Sequence, residues 1–153
     1  MKIWKVNVFL FLTLISSIFV AFKVKYLPIL LICWFATLYS SHCLAHYIVG
    51  KLLGFEFSHY TLSKSMLHKV SPKIFSAKIF LTLRIKKKQT GWKCFFMFLS
   101  GSLASMFLPF SIAFISGNLI IMVLSVFNLV FTGYFSYKYG CIRKALSCLG
   151  QKS

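Results

Sequence analysis

The chain is almost without acid. Against eighteen lysines and arginines it carries one acidic residue, Glu56, so its formal charge is +17 over 153 residues. Charged residues of any kind are scarce at 12%, where a water-soluble domain normally holds about a quarter. Only three prolines occur, and no stretch rich in Gly, Ser or Pro separates one part from another, so the chain reads as a single domain. The five cysteines (Cys33, Cys43, Cys94, Cys141, Cys148) make no C-x-x-C pair and are odd in number. That argues against a disulfide framework and for small apolar fillers. What is abundant is apolar: 59% hydrophobic residues, 18% aromatic, and eighteen phenylalanines. A large positive excess alone would admit nucleic acid, but nucleic-acid domains do not carry long uncharged runs of Leu, Ile and Phe. Basic residues flanking such runs fit an anionic membrane surface, and the lipid bilayer is the expected partner.

The pattern along the chain predicts an all-α membrane protein of about four transmembrane helices, with a short β-hairpin inserted between the second and third spans. The first run, Val6 to Phe22, lies between Lys2 and Lys5 on one side and Lys23 and Lys25 on the other. It has a basic start like a signal peptide, but no small-x-small cleavage pattern follows, so it is expected to be retained. The second run, 27–53, has Pro28 in its first turn and Gly54 as a plausible stop. The third, 92–115, contains the small-residue stretch Gly101-Ser102-Leu103-Ala104-Ser105, which lets helix backbones approach closely. The fourth, 118–137, leads into a basic tail from Lys138 to Lys152. Each run is long enough to cross the hydrocarbon core, given about 20 apolar residues per helix.

Between the second and third spans, 54–91 reads as a basic loop. Phe55 to Leu62 alternates and is rich in aromatic and β-branched residues, as does Lys78 to Lys86, which predicts two short strands joined through Ser71-Pro72. Sixteen basic residues fall in the N-terminus, the segment from Lys51 to Lys93 and the tail, against only Lys23 and Lys25 in the first hairpin. The positive-inside rule then places both termini and the loop in the cytoplasm. Organellar targeting features are missing, which makes a prokaryotic plasma membrane the simplest location. Trp4, Trp34 and Trp92 suit interfacial anchoring.

Inside the second span stands Ser41-His42-Cys43-Leu44-Ala45-His46. Residues four apart on a helix lie one above the other, so His42 and His46 present two imidazoles to one ion, as in the H-E-x-x-H zinc motif. Ionisable groups at membrane depth are costly and point to function. The competing reading is that both histidines simply hydrogen-bond to neighbouring helices or water.

This stretch, with Gly50, Gly54-Phe55-Glu56-Phe57 and Thr61-Leu62 after it, resembles the site-2 protease family of intramembrane zinc metalloproteases. Further features fall in the family's order: a second strand at Ile79 to Ile85, the G-x-x-A segment Gly101 to Ala104, and the pair Asn128-Leu129. The resemblance implies zinc ligation by His42 and His46, and it places the general base at Cys43, where the family has Glu. It also implies a third ligand after Asn128-Leu129, an Asp in the family. By spacing from Asn128 that position falls near Ser136; by the basic segment that follows it falls nearer Gly140 to Lys144. Cys141 is a chemically sensible replacement, since a thiolate is a good zinc ligand.

Loss of the Glu removes help worth about 10²–10⁴-fold in general acid–base catalysis. Cys43 does not replace it, because one step along a helix turns a side chain by about 100°. The expectation is therefore a zinc-binding homologue, catalytically impaired, that engages transmembrane segments of partner proteins without cutting them. A metal-independent membrane scaffold is the rival from another class. A transporter is weaker, since the spans contain no acid to carry cations. His59 and His68 are expected to be solvated, and Glu56 lies too far along to rescue catalysis.

Overall fold

The computed structural model of the chain describes residues 1–63, 80–86 and 91–150. Helix α1, Ile3–Lys23, ends with a lysine in its last turn and extended backbone at Val24. Helix α2, Leu27–Leu52, starts around Pro28, whose fixed φ and missing N–H suit a first turn. Gly54 then takes φ +84°, a conformation that a side chain would resist, and turns the chain into the hairpin. Strands β1, Phe57–Ser63, and β2, Phe80–Ile85, pair antiparallel, with Tyr60 opposite Leu83 and Thr61 opposite Thr82. The expected link at Ser71-Pro72 lies outside the described residues, as does His68.

Strict alternation would put Phe57 and His59 on one face. Instead the register shifts between them, and this bulge turns both Phe57 and Tyr60 inward while leaving His59 exposed. Phe55 and Phe57 join Met97, Cys94 and Cys148 in one apolar cluster, and Tyr60 joins Val6, Leu10, Cys43 and Leu44 in another. The hairpin is thereby packed against the ends of the helices.

Beyond it come α3, Gly91–Phe107, and α4, Pro109–Ser116. The expected third span is thus broken at Leu108, because Pro109 has no N–H to continue the ladder. Asn118 caps α5, Leu119–Tyr139, by accepting from the Ile120 and Ile121 amides. Four helical stretches, Ile3–Lys23, Leu27–Leu52, Gly91–Ser116 and Leu119–Tyr139, are long and apolar enough to cross a membrane. Their outward faces carry Phe9, Ile32, Phe35, Phe114 and Val123, all more than half exposed, while Thr37, Ser40, Ser102, Ser105 and Ser125 are buried. Apolar outside and polar inside is what hydrocarbon solvent selects.

Within the basic tail, Cys141–Gly150 forms a further helix, α6. Two expectations need correction. Trp34 is not at an interface; it is 3% exposed and donates to the Ser125 hydroxyl at 2.8 Å, tying α2 to α5. Cys94 is not an unpaired filler but is disulfide-bonded to Cys148, 54 residues away, because α6 folds back along α3. Cys33 is an apolar filler, packed with Leu30, Trp34 and Ile112.

The two ends of the bundle differ. At one, Lys25 crosses from the α1–α2 turn to donate to the carbonyls of Ile115 and Ser116, closing the C-terminus of α4. At the other lie the hairpin, the start of α3 and α6. His42 and His46 sit roughly 15 Å and 9 Å from the hairpin end of α2, at about 1.5 Å per residue.

Candidate metal centre

His42, His46 and Cys141 converge, with their ligand atoms all within 4.8 Å of one another. The two histidines are stacked one turn apart on α2, their ring centroids 4.7 Å apart. The α3 helix fixes both rings from behind. His46 Nδ1 lies 2.7 Å from the Met97 carbonyl, which can only accept, so Nδ1 carries the proton. His42 Nδ1 lies 3.2 Å from Ser105 Oγ. That hydroxyl already donates to the Ser102 carbonyl at 3.0 Å, so it accepts from His42. Both Nε2 atoms are therefore left with bare lone pairs, and both face the same sulfur.

Cys141 Sγ stands 3.7 Å from His42 Nε2 and 3.4 Å from His46 Nε2. A thiol has one proton and can satisfy only one of these two acceptors. A cation shared by all three atoms satisfies every one of them. The two nitrogen–sulfur separations fit: tetrahedral zinc, with bonds of about 2.0–2.1 Å to nitrogen and 2.3 Å to sulfur, separates N from S by about 3.5 Å. The arrangement of ring nitrogens held by a carbonyl or hydroxyl on the far side is the usual support of metal-bound histidines. A His-His-Cys cluster able to hold a metal ion is thus present.

Cys141 is the first residue of α6, so its sulfur sits at a helix N-terminus, where negative charge is favoured. Burial pushes the Cys141 thiol up from its ordinary range, and the Lys144 ammonium and a bond from Ser102 pull it the other way. Lys144 itself lies over the Phe98 ring at 5.7 Å.

Cys43 lies outside this cluster. Its sulfur points to the Leu81 carbonyl at 4.0 Å, and the Leu81 amide donates to the Tyr39 hydroxyl at 3.1 Å. The residue at the expected base position is thus buried, at 6% exposure, with its sulfur turned to β2. Ser136 is buried and bonded to Ser102 at 2.9 Å, so of the two places where a third ligand was expected, only Cys141 reaches the histidines. Asn128 braces the site at one remove, donating to the Ser105 carbonyl at 2.9 Å and accepting from Thr132. His59 is exposed on β1, and Glu56 is exposed before it.

The supports at Met97, Ser105 and Lys144 were not singled out from sequence. Ser105 did fall in the small-residue stretch of the third span, and the helical spacing of Cys141 and Lys144 was a signal for the last. Gly101 in that stretch permits the closest approach, since a Cβ there would overlap the His46 ring. Comparison with protein-family models, curated proteins and solved structures finds no match.

Proposed function

We propose that this chain is a zinc-binding membrane protein of the site-2 protease type whose hydrolytic machinery is incomplete, and that it engages transmembrane segments of partner proteins without cutting them. The observation that carries the zinc reading is the pair of imidazole lone pairs converging on one thiol, at nitrogen–sulfur separations suited to a tetrahedral ion. His42, His46 and Cys141 would hold the metal, leaving one position of four open. A zinc ion there supplies a Lewis acid for a carbonyl oxygen. Met97 and Ser105 orient the two rings, and Asn128 holds Ser105.

The incompleteness rests on Cys43. With its sulfur turned to Leu81, nothing at that position can take a proton at the cluster. Among the described residues the sole carboxylate side chain, Glu56, is exposed and outside the cluster. The engagement of helices rests on the resemblance and on a site roughly 9–15 Å inside the end of a span. In the cell we place the hairpin and both termini on the cytoplasmic side, from the distribution of basic residues.

The test is metal content. Untagged protein purified in detergent should hold about one zinc per chain, lost in His42→Ala/His46→Ala and strongly reduced in Cys141→Ser. A wild-type protein that stays metal-free when zinc is supplied would sink the reading and leave a metal-independent scaffold.

A further inference from the structure

The Cys94–Cys148 bond is not needed to complete the zinc site, since both sulfurs belong to the apolar cluster around Phe55, Phe57 and Met97. What it fixes is α6. Cys141, Ala145 and Cys148 recur at intervals of four and three, so they line one face of that helix, and Ala145 and Cys148 are buried. One end of the face brings a sulfur to the histidines. The other end, roughly 10 Å along, is tied covalently to α3, the same helix that orients both imidazoles through Met97 and Ser105. A ten-residue helix has little stability of its own. Apart from the disulfide, α6 is fastened by the Ala145 face, by Lys144 over Phe98, and by Arg143 donating to the Lys138 carbonyl at 3.1 Å.

We propose that Cys94 and Cys148 are a reversible redox latch on the metal centre: their disulfide holds α6 against α3 with Cys141 at the histidines, and its reduction frees α6 to leave. The proposal rests on the reading of the cluster as a metal site. It also draws on the cytoplasmic placement of this end, which gathers Lys2, Lys5, Lys51, Lys86, Lys93, Arg143 and Lys144. In that compartment thiols are kept reduced, and a disulfide is characteristically transient or sensing. Closure is thiol–disulfide exchange with a disulfide oxidant of the glutathione class. The oxidant's S–S bond breaks, one S–S bond forms between Cys94 and Cys148, and the two cysteine protons end on two released thiols. A dithiol reductant runs the exchange backwards. If the reduced protein keeps α6 docked one-tenth of the time, its apparent zinc affinity falls about tenfold.

The experiment uses the full chain in detergent, oxidised with glutathione disulfide or reduced with a non-chelating phosphine, the state being verified by intact mass. Zinc affinity is read by competition with a chromogenic chelator. Maleimide labelling of Cys141 in the metal-free protein is read by peptide mass spectrometry. Reduction should weaken zinc binding about tenfold and speed Cys141 labelling severalfold. A Cys94→Ser/Cys148→Ser variant should behave as the reduced protein under both conditions. Equal zinc affinity and equal labelling in the two states would overturn the latch and leave the zinc site standing. No zinc binding in either state would overturn the metal reading, and Cys141 labelling would then decide the latch alone.

Discussion

Replacing Gly101 by alanine probes the candidate centre without touching a ligand. A Cβ built at Gly101 meets three atoms of the His46 ring, Nε2, Cδ2 and Cε1, well inside van der Waals contact. The ring cannot yield freely, because its Nδ1 is bonded to the Met97 carbonyl at 2.7 Å. Relief therefore requires either that α2 and α3 separate or that the imidazole swings off Met97. Separation is overpacking, which costs about 1–3 kcal/mol. Swinging leaves a buried Nδ1–H without a partner, at about 1–3 kcal/mol. It also moves Nε2 by on the order of 1 Å, when metal ligands tolerate about 0.2 Å. Loss of such support typically lowers metal affinity 10–100-fold. We expect the upper end for Gly101→Ala, about 100-fold or 2.7 kcal/mol, together with a lower thermal midpoint. Chelator competition and thermal unfolding in the same detergent read both. Gly133→Ala is the control, since a Cβ there meets Met106 Cε at an ordinary 3.5 Å. Zinc binding by Gly101→Ala within about threefold of wild type would refute the placement of His46 at the centre.

Cys43→Glu should destabilise the bundle by several kcal/mol instead of restoring hydrolysis. It buries an unpaired carboxylate among Val6, Leu10, Leu44 and Tyr60, and thermal unfolding with a peptide-cleavage assay reads both outcomes. Tyr60→Phe should cost about 1–3 kcal/mol, because the Tyr60 hydroxyl donates to Asn7 Oδ1 at 2.8 Å and fastens β1 to α1. Burial, then the nearby Cys43 and Tyr47 groups, raise the Tyr60 hydroxyl above its ordinary range near 10. The folded state thus holds that proton more tightly than the unfolded one. Its contribution is complete below about pH 10 and is lost as pH rises further, a decline that stability measurements should find missing in Tyr60→Phe.

Much of the architecture was legible because hydrocarbon imposes simple rules. Apolar runs near 20 residues, most of their ends marked by basic residues, gave the four spanning stretches. The aromatic and β-branched segments gave the hairpin. What escaped depended on neighbours distant in sequence. Nothing local distinguishes Cys94 and Cys148 as partners, since pairing depends on α6 returning to α3, and cysteine spacing does not encode connectivity. Trp34 looked like an interfacial anchor because its partner, Ser125, lies 91 residues on. The bulge between Phe57 and His59 breaks the alternation that makes strands readable. The helical spacing of Cys141, Ala145 and Cys148 was visible in the tail, but ten residues with two cations do not resemble a span.

The histidines themselves show where sequence reasoning reaches its limit. An i, i+4 pair establishes that two imidazoles share a face, and it leaves open whether they meet a metal or merely pack. What favours the metal is what lies behind and in front of the rings. A carbonyl behind His46, and a hydroxyl with its proton already committed behind His42, force both lone pairs forward. The sulfur in front comes from residue 141, nearly a hundred positions away, and is a soft donor that suits zinc. With only one proton among the three facing atoms, the metal-free arrangement is short of a donor. The same geometry leaves Cys43 facing Leu81, away from the point where the two imidazoles and the sulfur converge. The turn that brings two imidazoles and a thiolate donor to one point thus turns the intervening Cys43 away from it, so the residues able to hold a metal and the residue between them face different neighbours.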